Sequence, residues 1–235
     1  MSQYADGTYR AMNPSWHDQD ASWKADHVAR LLDEHRIRPS SVCDMGCGTG
    51  GVLASLRGRF DAPTMVGWDI SPDAVEIARS RHPEIEVRCE DLLQTTERYD
   101  VVLSLDVFEH VDDYLGFLRL LIRHGRYFVF HVPLDISVET VIRMRPILQA
   151  RERIGHLHYF SKETALATLK TTGYLIEDAK YTREKGGASH LAKGRGHRLA
   201  KWPRRIGMRI SSDLSVRILG GCSLLVLARP DNKKL

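Results

Sequence analysis

The chain has 235 residues, 43% of them hydrophobic and 27% charged, which fits a globular protein with a sizeable core and excludes collagen-like, fibrous and disordered classes. Its net charge of +4 hides an asymmetry: residues 183–209 carry nine basic side chains against the single acid Glu184, a local +8, and the remainder is −4. A stretch of that sign attracts anions, whether a phosphorylated substrate, nucleic acid or a membrane surface.

Strand-like and helix-like runs alternate without an internal repeat, the pattern of an α/β fold. Ala21 to His35 predicts an amphipathic helix, with Trp23, His27, Val28, Leu31 and Leu32 at helical spacing and Asp20 placed to cap it. Ser41 to Asp44 reads as the first strand, Gly50 to Leu56 opens a helix, and Thr64 to Trp68 is the second strand. Ser71-Pro72 supplies an N-cap and a proline at the first position of a helix that runs to about Arg81. Glu86 to Arg88 is a short strand, Asp100 to Leu105 a stronger one, Asp112 to Ile122 a helix and Arg126 to Val132 a buried strand. Residues 134–160 then interrupt the alternation, with helical periodicity over Ser137 to Arg153. A helix over Ser161 to Thr171 leads through Gly173 into the strand Tyr174 to Tyr181. The basic insertion, residues 183–213, is expected to be helical on both sides of Pro203, and Cys222 to Ala228 closes the chain as an apolar strand.

The longest uncharged apolar stretch, Ile218 to Ala228, has 11 residues, whereas a membrane-spanning helix needs ~20. Met1 to Arg10 is polar and lacks the apolar core of a secretory signal, so a cytoplasmic location is expected. Cys43, Cys47, Cys89 and Cys222 show no C-x-x-C spacing, which argues for reduced thiols.

The chemistry is concentrated in Ser41-Val-Cys-Asp-Met-Gly-Cys-Gly-Thr-Gly50, a strand ending in an acid, followed by a glycine-rich turn that opens a helix. Glycines there let backbone approach a ligand. The next strand ends in Asp69, placed to accept hydrogen bonds from ribose hydroxyls. Gly46, Gly48 and Gly51 also satisfy G-x-G-x-x-G, so a nicotinamide oxidoreductase must be weighed against an enzyme of a nucleoside-sulfonium cofactor. Asp44 favours the second, because a carboxylate at that place repels a pyrophosphate and attracts a cationic amino-acid moiety. Asp91 ends the third strand, and Leu105-Asp106 ends the fourth.

With these sites in order, the sequence resembles the class I S-adenosylmethionine-dependent methyltransferases, whose motif I stands here as Asp44-x-Gly46-x-Gly48-x-Gly50. The resemblance implies one methyltransferase domain over residues 1–235, with a Rossmann-like, doubly wound, mostly parallel seven-stranded sheet. Its last strand is antiparallel, and helical lid insertions are added. It implies that Asp44, Gly46 and Gly48 face the methionyl part, Asp69 the ribose, and Asp91 with Leu92 the adenine, with Cys47 and Gly50 also among the cofactor-binding residues. Ile70 packs on the ring, and Leu105 lies above the same cleft. Residues 1–20 are expected to form an N-terminal lid segment, and Tyr4, Tyr9, Trp16 and Trp23 to cover the cofactor or substrate.

For the methyl acceptor, Asp106-Val-Phe-Glu109-His110 puts two carboxylates and an imidazole at i, i+3 and i+4, on one face if the segment turns helically. Gly155-His156-Leu-His158 offers two more imidazoles. This arrangement resembles the metal-using ubiquinone-pathway O-methyltransferases and small-RNA 2'-O-methyltransferases, which implies Asp106, Glu109, His110 and His158 as ligands of Mg or Mn. Asp106 stands where those families have Glu, which shortens its reach. Without a metal, His110, His131, His156 or His158 is the general base, with Glu109 beside it. The expected activity is O-methylation of a small-molecule phenol or sugar hydroxyl. The alternatives are an RNA 2'-O-methyltransferase tracking phosphates with residues 183–209 and a non-catalytic nucleoside-binding protein. The mixed apolar and basic residues of 197–210 also suit peripheral contact with a membrane.

Overall fold

The computed structural model describes residues 20–60, 62, 64–183 and 211–233. The lid expected over residues 1–20 and the basic insertion therefore lie almost wholly outside the described residues, as does the interfacial segment 197–210. In chain order the elements are α1 (Ala21–Glu34), β1 (Ser41–Met45), α2 (Gly51–Arg57), β2 (Thr64–Trp68), α3 (Pro72–Arg81), β3 (Glu86–Arg88) and β4 (Tyr99–Leu105). There follow α4 (Tyr114–Leu121), β5 (Gly125–Pro133), α5 (Val138–Arg143), α6 (Arg145–Gln149), α7 (Lys162–Thr171), β6 (Tyr174–Thr182), α8 (Ser212–Leu219) and β7 (Ser223–Pro230).

The seven strands form one sheet in the order β3-β2-β1-β4-β5-β7-β6. β1 pairs in parallel with β2 and β4, β2 with β3, and β4 with β5, whereas β7 is antiparallel to both its neighbours. Successive residues of the central strands face opposite layers, so strands covered on both sides read as continuous apolar runs. Phe128 and Phe130 of β5, with Leu224 and Val226 of β7, join Phe117 and Leu118 of α4, Leu169 of α7 and Val216 of α8 in one core. Val129, Leu225 and Leu227 face the other way, onto Val28, Leu31 and Leu32 of α1, Leu53 and Leu56 of α2, and Val75 and Ala78 of α3.

Local sequence accounts for most element boundaries. Ser71 accepts from the Ala74 amide with Pro72 at the first helical position, and Asp113 caps α4 by accepting from the Gly116 amide. Ser161 and Thr164 exchange side-chain and backbone bonds in a capping box. Asp20 departs from expectation: its backbone is αR and its side chain makes no capping bond to α1, which ends at Glu34. The insertion after β5 is two short helices broken at Met144, whose φ of +52° interrupts the helix just before Pro146, and a π-helical turn over Ala150–Ile154. Helix α8 has no counterpart among the sequence-predicted elements; it packs against α5 and leads directly into β7.

Candidate active site

The reversal of strand order lies between β1 and β4, and in open α/β sheets ligands bind in the crevice outside the strand ends at such a point. The glycine turn occupies one wall of it. Gly46, Gly48 and Gly50 all adopt left-handed φ, of +75°, +54° and +79°. The amides of Gly46 and Cys47 donate to the Trp68 carbonyl at 2.8 and 3.1 Å, which draws the turn across the end of β2. No heavy atom lies within 4 Å of where a Cβ on Gly48 would stand, so this backbone is open to a ligand. Cys47 is buried against Gly67, with burial pushing its thiol up.

Asp69 accepts from the amides of Gly48 and Ser71, both at 2.8 Å, and so ties the glycine turn to the start of α3. Burial raises its pKa while those amides oppose the rise. Each carboxylate oxygen has a second lone pair, which leaves Asp69 able to accept further hydrogen bonds. Asp91 accepts from the Leu93 amide at 3.0 Å and caps a short 3-10 turn over Leu92–Gln94. Ile70 is 49% exposed beside the same acid-lined edge, an apolar surface suited to a flat ring, whereas the side chains of Leu92 and Leu105 are buried in the core. Any contact from Leu92 to a ligand must therefore come from its backbone.

Asp44 is buried, and burial pushes its carboxyl up to about 7 despite the attraction of Lys24. Lys24, on α1, was absent from the sequence-predicted set. Its Nζ lies 2.6 Å from Asp106 Oδ2, and His131 donates from Nδ1 to Asp106 Oδ1 at 2.6 Å. His131 Nε2 in turn lies 2.9 Å from Thr182 Oγ1. Against burial, His131 and Lys24 together hold Asp106 well below the usual carboxylate range.

The second cluster differs from the sequence-predicted ligand set. Asp106 has a left-handed φ of +57°, and only Phe108–His110 forms a single 3-10 turn after β4. The helical face expected to unite Asp106, Glu109 and His110 therefore does not form. Asp106 turns to Lys24 and His131, while Glu109 and His110 meet His156, the three offering ligand atoms within 4.8 Å of one another. His158 is likewise directed elsewhere: its Nε2 donates to the Val111 carbonyl at 2.9 Å, and its ring packs on Tyr114. The amides of Leu157 and His158 both donate to the Glu109 carbonyl, which brings the end of the insertion back onto the turn.

Glu109 is 0% exposed, and neither of its carboxylate oxygens has a hydrogen-bond partner. A buried carboxyl left so is costly. Burial, then repulsion from Asp106, raises its pKa to about 8, while His156 acts against the rise. His156 donates from Nδ1 to Asp135 Oδ2 at 2.7 Å, and this pairing raises the imidazole's pKa against the effect of burial. His110 donates from Nδ1 to the Gly155 carbonyl at 3.0 Å, and its Nε2 lies 4.0 Å from Glu109 Oε1. Imidazoles oriented through Nδ1 by a carboxylate or carbonyl, with a carboxylate on the other side, have the donor arrangement of a metal site.

A family described as a methyltransferase domain matches residues 15–178. The chain is 40% identical over 100 residues to a ubiquinone biosynthesis O-methyltransferase of Azorhizobium caulinodans, a match covering 40% of this chain and 38% of that one. A longer match, 25% identical over 194 residues, covers 73% of this chain and 81% of the ubiquinone biosynthesis O-methyltransferase of a Shewanella species. The chain spans little more than a third of the length of several curated relatives it matches. Among solved structures, the magnesium protoporphyrin IX methyltransferase of Synechocystis with bound S-adenosylhomocysteine superimposes with a TM-score of 0.60 at 18% identity, over 88% of this chain and 82% of that one. The chain belongs to the methyltransferase domain family and has the fold of the class I S-adenosylmethionine-dependent methyltransferases.

Proposed function

We propose that the protein transfers a methyl group from S-adenosylmethionine to a hydroxyl of a small molecule, of phenol or sugar type. The observation that carries the donor half is the crevice at the strand reversal: three left-handed glycines, an open face at Gly48, and acids at the ends of β1, β2 and β3. The similarity to ubiquinone biosynthesis O-methyltransferases supports oxygen as the acceptor atom. A sulfonium methyl is already activated, so the protein's work is to align donor and acceptor and to remove the acceptor's proton.

Glu109, His110 and His156 fit that second task in two ways. The buried Glu109 carboxyl and the oriented imidazoles suit a divalent cation such as Mg or Mn, which would lower the pKa of a hydroxyl bound to it. Without a cation, His156 is the general base, oriented by Asp135 through Nδ1. His131 is less suited, since Asp106 and Thr182 take both its ring nitrogens.

The test is incubation of the full chain with methyl-labelled S-adenosylmethionine and a panel of phenols, sugars and RNA, with and without chelator. Label in a phenol or sugar hydroxyl supports the reading, and its loss on chelation selects the cation route. Label confined to RNA would overturn the acceptor class. Stoichiometric cofactor binding with no transfer would leave a binding protein.

Two affinity predictions arise here. Asp69→Ala should weaken S-adenosylhomocysteine binding by ~1.5–3 kcal/mol, roughly 10- to 150-fold, by removing a charged acceptor for the ribose. Unchanged calorimetric affinity would remove Asp69 from the site. The second is a pH dependence. Asp44 titrates near 7 in the folded protein, so its carboxylate is depleted below neutrality. Affinity for the cofactor's ammonium should therefore rise as pH increases from 6 to 8, and Asp44→Asn should flatten that rise. Stability of the unliganded protein moves oppositely: with the folded pKa raised, Asp44 contributes most below its ordinary value of about 4 and loses that contribution as pH rises through 7. A pH-independent affinity in the wild type would contradict the role.

A further inference from the structure

The elements flanking the strand reversal place three charges in one gap. Asp44 stands near the end of β1, Asp106 directly follows β4, and Lys24 reaches in from α1. The Lys24 ammonium is 2.6 Å from Asp106 Oδ2, and its charge also acts on Asp44. The alternation of β1 explains how: Val42 faces the layer of α1–α3 and Cys43 the opposite layer, so Asp44 returns to the side from which Lys24 comes.

Asp106 already has a hydrogen bond from His131 on its other oxygen, so a neutral donor in place of Lys24 would satisfy the remaining one. What only a lysine or arginine adds is a unit positive charge, held in place at the cost of side-chain freedom. That charge stands at the crevice between β1 and β4, the same crevice in which the proposed function seats the methyl donor. The donor and its spent product differ there by one charge: the sulfonium is cationic and the thioether neutral.

We propose that Lys24 is a specificity-determining residue that weighs the cationic methyl donor against its neutral product. Its ammonium opposes the sulfonium and leaves the thioether unaffected, so it lowers the preference for the donor. The same charge favours departure of positive charge from sulfur during transfer. In that step the S–CH3 bond breaks with its electron pair remaining on sulfur, a new bond forms from the acceptor oxygen to the methyl carbon, and the hydroxyl proton leaves to the base. The inference rests on the S-adenosylmethionine reading and goes beyond it by assigning a role to a residue of α1.

The test is calorimetric titration of the full chain with S-adenosylmethionine and, separately, S-adenosylhomocysteine, for the wild type, Lys24→Met, Lys24→Gln and Lys24→Arg. The ratio of the two dissociation constants should shift toward the donor by about tenfold in the Met and Gln variants, the scale of one unit charge ~6 Å away at an effective dielectric constant of about 40. It should stay within about twofold in the Arg variant. Lys24→Gln keeps a hydrogen-bond donor for Asp106 and remains informative if Lys24→Met loses its cooperative melt. A lysine that merely anchors α1 would change both affinities equally and leave the ratio unmoved, which would overturn the proposal. A wild type that binds neither nucleoside would overturn the cofactor reading itself. Binding of both with an unmoved ratio in the neutral variants would overturn the role of Lys24 alone.

Discussion

Glu109→Gln and His156→Ala should each lower methyl transfer by about 10²–10³-fold, within the range that a positioned acid–base or metal-activating group contributes. Their affinity for S-adenosylhomocysteine should stay within about threefold of wild type. The separation follows from geometry. Glu109 and His156 lie in the cluster formed by the turn after β4 and the returning insertion, whereas the cofactor contacts are expected on the glycine turn and at Asp69. Asp135→Asn should lose less, about 10–100-fold, because it acts by orienting His156 through its 2.7 Å bond. Steady-state kinetics beside a binding isotherm measures both quantities. Normal turnover in Glu109→Gln and His156→Ala would remove the cluster from the chemistry.

The second large effect is expected at Gly46. A Cβ there would stand 2.8 Å from Val107 Cγ2, and the φ of +75° is a conformation that L side chains rarely adopt. The left-handed backbone alone costs ~1–2 kcal/mol. With ~2–4 °C of melting temperature per kcal/mol in a protein of this size, Gly46→Val should lower the melt by at least several degrees. It should also abolish measurable cofactor binding, since Val107 must shift and Asp106 precedes it. Gly48→Ala is the contrasting variant: its Cβ meets nothing within 4 Å in the unliganded protein, so its stability loss should be limited to the backbone strain. It should nonetheless weaken cofactor binding, because the added methyl occupies the open face. Equal behaviour of the two variants would contradict the assigned crevice.

The sheet was legible because its central strands are covered on both faces, and sequences such as Val101 to Leu105 and Leu224 to Ala228 can fold stably in few other ways. The glycine turn was legible for a related reason. Three glycines at spacing two, next to an acid, mark backbone that must take positive φ, and all three do so. The proposed acceptor-side cluster of Glu109, His110 and His156 was legible only in part. Glu109 and His110 are neighbours in sequence, but choosing between His156 and His158 depends on the left-handed turn at Gly155, φ +87°, and on the Leu157 and His158 amides bonding Glu109. Neither feature has a local signature in the sequence. The three-and-four spacing that linked Asp106 to Glu109 presupposes a helix, and the single 3-10 turn does not supply one.

Lys24 and Asp135 escaped sequence reading because their partners are distant in the chain, Asp106 and His156 respectively. Within α1, Lys24 is indistinguishable from a solvated surface lysine until the helix is docked against the strand ends. Helix α8 did carry a signal: Ser211 before Asp213, followed by Leu214 and Ile218 at helical spacing, reads as a capped helix. It was hidden by its position at the end of a long basic stretch.

The crevice between β1 and β4 is assigned to an adenosyl cofactor of methyl transfer. The most direct measurement is the thermal melt of chelator-treated full chain with S-adenosylhomocysteine, with NAD in a parallel sample. Ligand at 100 times its dissociation constant stabilises the native state by ~2.7 kcal/mol. The midpoint should therefore rise by roughly 5–10 °C with S-adenosylhomocysteine and stay unchanged with NAD. A rise with NAD alone, or with neither nucleoside, would contradict this assignment.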